Sequence, residues 1–447
     1  MQKILERVLQ LRAGETRLFL VLGGLLLSNS LAMQMSEIAA ISNFLSAGGV
    51  NQILVVWLVD AALAIVMTSF QSLFIDRFSR IRMMQGLTLG FAGAFVCLRL
   101  MFILQFPEWL NYSLLYLIVG QQLLLFPLIF WILANDVCDM SQCKRLFPII
   151  ASWGLIGKLL GIGVAALLPI ALTALGWRSE ELLLFNVAIY IGLSMLVGWG
   201  FKGIPVRQTL QQPESIHETL TEGWNFVKEV DSFRFLMISV VAMILCETVI
   251  EFRFLVVSDA LFTDPGSYQT FYSLYFLARI LISLAVQAFL TRWLIERLNL
   301  KNAFFILPFC TLTGISWMIA LPGAVSSLGG ILLEKIPLYS LDESIRKAFQ
   351  ALVPEERRGR VSIFMDNYLY AGGAILGCLL TGSIVLLGEK FQIESYFYGY
   401  LGMAAIASLI SIWAIIQMRG AYDSSLLNWR LKRRQRGKGV IERLDLD

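Results

Sequence analysis

The sequence predicts an all-α integral membrane protein with about twelve transmembrane helices in two six-helix halves. Three observations lead to this prediction. Of the 447 residues, 57% are hydrophobic and only 15% are charged, whereas soluble domains carry about 25% charged residues. Apolar runs long enough to span a bilayer, about 20 residues each, recur along the whole chain. One long polar stretch, residues 202–232, separates the sixth run from the seventh.

Hydropathy in a window of about 19 residues places the spans in order. The twelve candidates are 17–40, 51–75, 83–104, 110–134, 147–171, 181–201, 233–258, 268–294, 301–320, 323–350, 361–387 and 392–418. Five charged residues interrupt the tenth, which also fits a shorter span followed by a cytoplasmic helix: Glu334, Lys335, Asp342, Glu343 and Arg346. The glycines of span five (Gly154, Gly157, Gly161 and Gly163) and of span eleven (Gly372, Gly373 and Gly377) predict close helix crossing or bending. The predicted domains are an N-terminal bundle (1–201), a cytoplasmic linker (202–232), a C-terminal bundle (233–418) and a basic cytoplasmic tail (419–447).

The distribution of basic residues predicts the orientation of the chain. With the N-terminus and every even-numbered loop on one side, that side receives 29 of the 36 Lys and Arg residues, while the other side receives only Arg178 and Lys390. Because cytoplasmic loops are enriched in Lys and Arg, both termini and the central linker are predicted to be cytoplasmic. The bacterial inner membrane fits this orientation, as does a plastid-type membrane.

Composition argues against several other classes of protein. The net charge is only +4, which is unlike a typical nucleic-acid binder. A single histidine, His217, and six scattered cysteines predict neither a disulfide framework nor a Cys/His metal site. The sequence contains no nucleotide-hydrolysis loop of the GxxxxGK[ST] type. We therefore expect no enzymatic activity, no metal, no cofactor and no nucleic-acid partner.

Twelve spans divided by a cytoplasmic loop are typical of the major facilitator class of secondary transporters. Residues 76–82, DRFSRIR, are similar to the acidic and basic loop motif of that superfamily, and residues 353–359, VPEERRG, resemble its counterpart in the second half. In such loops, carboxylates pair with arginines and stabilise the conformer in which the cytoplasmic gate is closed. The alternative is that these loops serve only as topology signals. The predicted gate network comprises Asp76, Arg77, Arg80, Lys144, Arg145, Glu355, Arg358, Arg360 and Asp366.

Charged side chains inside the spans predict the solute site, because an unpaired charge in lipid is costly and normally faces a partner or a water-filled cavity. Lys158 and Arg279 lie halfway along the fifth and eighth spans, so alternating access would let both reach one midplane cavity. Glu247 and Glu251 share one face of the seventh span at i, i+4 spacing, with Arg253 just beyond. The alternative is that these charges form ion pairs between helices. In the empty site, Glu251 is expected to pair with Lys158 or Arg279.

Several segments resemble the ATP:ADP antiporter family, the nucleotide translocases of plastids and intracellular bacteria. The sequence FWILAN at 130–135, followed by KRLFP at 144–148, is similar to that family's signature, and VIEFR at 249–253 resembles its seventh-span segment. The resemblance implies nucleotide exchange and adds Asn135 to the substrate-binding set. The chain departs from the family in span one, where 31–37 carries no cation, and at Gln142, which replaces an acidic residue.

The sequence therefore predicts a secondary transporter that works by alternating access on an organic anion, most specifically a phosphorylated solute of the ATP or ADP type. The few mid-span cations suit a smaller anion more readily than ATP, whose four negative charges need several cations. The predicted partners are the solute and the lipid bilayer. Three alternatives stay open: a lipid flippase or scramblase, a neutral-solute facilitator, and a non-transporting scaffold or sensor whose output is the basic segment 430–438.

Overall fold

The computed structural model describes residues 15–74, 79–176, 179–202, 216–262, 264–350, 353 and 355–444, and the secondary structure in these ranges is helical. Two π-helical turns, Leu338–Asp342 and Phe364–Tyr368, interrupt the longer helices of the second half. The α-helices are α1 (Thr16–Gly48), α2 (Ile53–Phe74), α3 (Arg80–Ile103), α4 (Glu108–Val137), α5 (Met140–Leu175), α6 (Leu182–Gly200), α7 (Ile216–Glu229), α8 (Asp231–Asp259), α9 (Pro265–Phe289), α10 (Thr291–Leu298), α11 (Leu300–Ala303), α12 (Ile306–Ala320), α13 (Ala324–Pro337), α14 (Glu343–Gln350), α15 (Glu355–Ile363), α16 (Leu369–Lys390) and α17 (Phe397–Leu444).

Eleven helical segments of the described chain are long and apolar enough to cross a membrane, and each coincides with a predicted span. The remaining predicted span, 323–350, is helical through α13, the first π turn and α14. This span is not among the eleven membrane-spanning segments because charged residues interrupt it and the π turn divides its helix. Part of the predicted linker is also helical, because it contains α7. This helix packs Phe226 and Val227 into the hydrophobic core of the second half.

The chain forms two compact units. Unit 1 consists of Met1–Glu214 and Ser258–Ala278, and unit 2 consists of Ser215–Val257 and Arg279–Asp447. The boundary therefore crosses α8 and α9, and the first turns of α9 belong to unit 1. Asp264 caps that end of α9, because its carboxylate accepts hydrogen bonds from the backbone N–H and the hydroxyl of Ser267. These hydrogen bonds lower the pKa of Asp264 below its ordinary value.

Helix α1 lies at the centre of unit 1 and packs most closely on α5. Small residues make this approach possible, as the sequence predicted. A Cβ at Gly157 would lie 2.2 Å from the carbonyl oxygen of Leu27, and one at Gly161 would lie 2.6 Å from that of Leu31. Gly163 was included in the same prediction, but a Cβ there would meet nothing within 4 Å. It lies about 200° around the helix from Gly161, so it does not face α1.

Unit 2 repeats this use of glycine around its own buried helix, α8. Cβ atoms at Gly373 and Gly377 of α16 would meet Ile244 at 3.0 Å and Thr248 at 2.8 Å. Gly372, predicted to act in the same way, faces open space. Close packing by small residues is the usual way in which membrane helices associate, and here it brings the charged face of α8 next to its neighbours.

Candidate solute-binding sites

Unit 1 contains a cavity of about 310 Å³ between α1, α4 and α5. Its lining combines one cation, two hydrogen-bonding side chains and one large ring: Lys158, Asn29, Ser30 and Trp131. The rest of the wall is apolar and consists of leucines, two small residues of α5, a methionine and a proline. The volume is at the lower end of the range for small-molecule sites, and a mostly apolar wall with a few polar groups is typical of them. The structure thus places the predicted residue Lys158 on the wall of a cavity.

A buried hydrogen-bond network fixes the polar wall of this cavity. The hydroxyl of Tyr190, on α6, donates to Asn29 Oδ1 at 2.7 Å and accepts from Gln122 Nε2 at 2.8 Å. Tyr190 is fully buried, and Phe91 and Phe95 pack against its ring. Trp131 is held in a similar way by the rings of its neighbours Phe130 and Phe147, with centroids 5.0 and 5.2 Å away. The cavity wall is therefore preorganised.

Unit 2 contains a buried ionic cluster on α8 and α13. The amino group of Lys335 donates to Glu247 Oε1 and to Glu251 Oε2, each at 2.7 Å. Lys335 and the adjacent Glu334 are 2% and 1% exposed. The i, i+4 carboxylates of α8 thus share one face, as the sequence predicted. Their partner differs from the expected one, because Glu251 binds Lys335 rather than Lys158 or Arg279.

A second cavity, of about 240 Å³, lies beside this cluster and entirely within unit 2. Its polar wall includes Glu247, Glu334, Tyr339 and Tyr370, and its apolar wall comes mainly from α8 and α12. Asp342 and Arg346, which also reach it, form a 2.7 Å ion pair with each other. The first π turn lies in this wall, and single π turns within α-helices frequently occur at functional sites.

The other predicted substrate-binding residues lie outside the two cavity walls. The guanidinium of Arg279 packs 5.2 Å from the ring centroid of Tyr339. Arg253 packs against the ring of Phe397 at 4.2 Å and hydrogen-bonds Tyr400. Asn135 is exposed at the end of α4, where its amide donates to the carbonyl of Trp131. Whether Lys158 and Arg279 share one cavity stays a prediction, since they belong to different units.

Four of the predicted gate residues form ion pairs within their own units. Arg80 pairs with Asp136 at 3.4 Å, and Arg145 donates twice to Glu15, at 2.6 and 2.8 Å. In unit 2, Arg360 pairs with Glu222, and Asp366 accepts from Lys347 and Gln350. Asp76 and Arg77 lie outside the described residues, and so do the side chains of Lys144, Glu355 and Arg358.

Sequence reasoning missed the central role of Lys335. The available signal was a pair of charged residues, Glu334 and Lys335, within the otherwise apolar and helical stretch GGILLEKIP. At the sequence level, these charges indicate an interruption of span ten and place Glu334 among the charged residues inside the spans, but they do not indicate a partner for Lys335. Tyr190 and Gln122 gave no comparable signal, because isolated polar residues in apolar spans do not reveal which of them meet.

Comparison with known proteins extends the description of the fold. No protein-family model matches the chain, and no curated protein matches its sequence. A mutant of the nucleoside transporter NupG superposes with a TM-score of 0.66 at 15% identity, covering 90% of this chain and 99% of that one. A bacterial homologue of the iron transporter ferroportin in its inward-facing state gives 0.62 at 16% identity, covering 90% and 98%. The POT family transporter PepTSo gives 0.60 at 12% identity, covering 90% and 98%.

These likenesses concern the fold, because the identities are low. The chain is an all-α, multi-pass membrane protein with a major-facilitator-like fold, which confirms the predicted fold class. The resemblance to the ATP:ADP antiporter family stays a prediction.

Proposed function

We propose that this protein is a secondary transporter that moves a small solute across the membrane by alternating access. The fold is shared with proteins that transport nucleosides, iron and peptides. The observation on which the proposal rests is the preorganised cavity of unit 1, where a cation, two hydrogen-bonding side chains and an aromatic ring converge. Such a combination suits a small polar solute better than a lipid tail.

Within this class we propose an organic anion as the solute, most specifically a phosphorylated solute of the nucleotide type. The amino group of Lys158 can donate charge-assisted hydrogen bonds to phosphate or carboxylate oxygens. The Trp131 ring offers a stacking surface for an aromatic base, and the Asn29 amide offers hydrogen bonds to its edge. Arg279 is proposed as a second anion contact, and the gate ion pairs as closures of the cytoplasmic side.

Calorimetric binding to the purified protein tests the anion proposal, with ATP, ADP, inorganic phosphate and a neutral nucleoside as probes. We expect the anions to bind more tightly than the nucleoside. Lys158→Gln should weaken anion binding by roughly tenfold to a hundredfold, because a hydrogen bond to a charged group contributes roughly 1.5–3 kcal/mol. Lys390→Gln, an exposed lysine at the end of α16, is the matched control and should bind as the parent does. Equal affinity for the nucleoside, or an unchanged Lys158→Gln variant, would contradict the proposal.

A neutral nucleoside is the second candidate solute. It is favoured by the amide and ring pair of Asn29 and Trp131 in the cavity, which suits a base without needing a phosphate. Uptake of radiolabelled nucleoside and nucleotide into proteoliposomes distinguishes the two candidates. It also separates a solute transporter from a lipid scramblase or a non-transporting scaffold, neither of which would accumulate either probe.

A further inference from the structure

The ionic cluster of unit 2 contains more carboxylates than cations. Glu247 and Glu251 already share the amino group of Lys335. Glu334 points its carboxyl group into the same buried space, at the wall of the 240 Å³ cavity. Among the described residues, no hydrogen-bond partner meets its Oε2 atom. Buried polar atoms almost always have a partner, so this oxygen needs an explanation.

The groups that face Glu334 come from every helix packed around it. Helix α8 contributes Glu247 and Glu251 together with the thiol of Cys246, and α9 contributes Arg279. Its own helical run adds Lys335 and Tyr339, and α16 adds the cavity-lining Tyr370. Helix α12, which packs on α13, carries no charged residue.

Charge counting then favours one protonation state. Glu247 and Glu251 balance Lys335 and Arg279, while Asp342 and Arg346 balance each other in their own ion pair. Glu343 also lines the cavity, but its side chain is exposed and does not belong to the buried cluster. The buried cluster is therefore neutral only if Glu334 carries a proton, and it has one excess negative charge if Glu334 is ionised. An isolated charge in a buried site is strongly disfavoured. Among the described residues, no group of three His, Cys, Asp or Glu side chains has the arrangement needed to hold a metal ion.

We infer that Glu334 is a proton-binding site and that its proton is the ion coupled to solute movement. When Glu334 loses its proton to water in the cavity, its carboxylate competes with Glu247 and Glu251 for Lys335. The bridge that joins α8 to α13 would then loosen, so proton release and helix rearrangement are linked. The coupling role rests on the proposed transport function, whereas proton binding itself does not.

Two measurements test this inference. The first is solute accumulation in proteoliposomes under an imposed pH gradient, with the membrane potential held at zero. We expect about tenfold accumulation per unit of pH for a coupling of one proton per solute. Glu334→Gln resembles the protonated acid in shape and charge, so the variant should fold and still exchange solute between the two sides. It should lose accumulation driven by the pH gradient.

The second measurement needs no solute. Infrared difference spectra between alkaline and neutral pH, a range in which exposed carboxylates stay ionised, should show the carbonyl band of a protonated carboxylic acid, and Glu334→Gln should remove the part of that band that comes from Glu334. Glu394→Gln, which replaces an exposed carboxylate in the turn before α17, is the matched control and should behave as the parent does in both measurements.

The outcomes separate the inference from the proposed function. If the protein transports solute but ignores the pH gradient, or if Glu334→Gln still follows it, the coupling role is overturned while transport stands. If no solute is transported at all, the proposed function fails, and the infrared band alone then decides whether Glu334 binds a proton. A band that weakens with Glu334→Gln supports the proton site, and a band that this substitution leaves unchanged overturns it.

Discussion

At the scale of single residues, Lys335 joins α8 to α13 in the buried ionic cluster of unit 2. It is nearly fully buried and holds two carboxylates at 2.7 Å each. Removing one partner of a buried ion pair leaves an uncompensated charge, which costs about 3–5 kcal/mol. We therefore expect Lys335→Met to lower the midpoint of thermal unfolding in detergent substantially.

The control for this prediction makes the buried cluster electrically neutral again without restoring the lysine. Combining Lys335→Met with Glu251→Gln removes one cation and one carboxylate, so the remaining carboxylate of Glu247 is balanced by Arg279 and we expect the double variant to recover much of the lost stability. A double variant no more stable than the single one would mean that Lys335 acts through packing and not through its charge.

At the scale of helices, the contact between α1 and α5 depends on which face each glycine occupies. A Cβ at Gly157 would lie 2.2 Å from a backbone carbonyl oxygen, which cannot rotate away as a side chain can. Gly157→Ala should therefore push the helices apart and destabilise unit 1 by roughly 1–3 kcal/mol, the usual cost of overpacking. Thermal unfolding of the purified variant measures the effect.

Gly163→Ala is the matched control on the same helix. Its Cβ would meet nothing within 4 Å, and alanine favours a helix over glycine by about 1 kcal/mol. We expect unchanged or slightly higher stability. Equal losses for the two variants would show that the contact with α1 does not distinguish the two positions, and would contradict the prediction.

These helices also show what sequence can and cannot predict. Spans follow from hydropathy, and the common face of Glu247 and Glu251 follows from the i, i+4 spacing, because both depend on one helix alone. The face of Gly163 is equally predictable from helical periodicity, because residues two positions apart in an α-helix lie about 200° apart around its axis. The pairing of Lys335 with α8 was not predictable, because it depends on how α13 is rotated against its neighbour. The unpaired oxygen of Glu334 was hidden for the same reason.

At the scale of the whole molecule, the remaining prediction is the orientation of the chain in the membrane. The loop bias of 29 basic residues against two predicts a cytoplasmic linker and cytoplasmic termini. Replacing the six cysteines and then introducing Gln211→Cys or Glu394→Cys places one thiol on each predicted side. An impermeant thiol reagent added to intact cells should label the Glu394→Cys variant and spare the Gln211→Cys variant.

Permeabilised cells provide the control for access, since both variants should be labelled once the reagent reaches both sides. Labelling of the Gln211→Cys variant in intact cells would show that the topology is the reverse of the predicted one. In that case the ion pairs of Arg80 and Arg145 would lie on the outer side of the membrane. They would then close the pathway against the exterior, and the direction in which a pH gradient drives the solute would have to be reassigned with them.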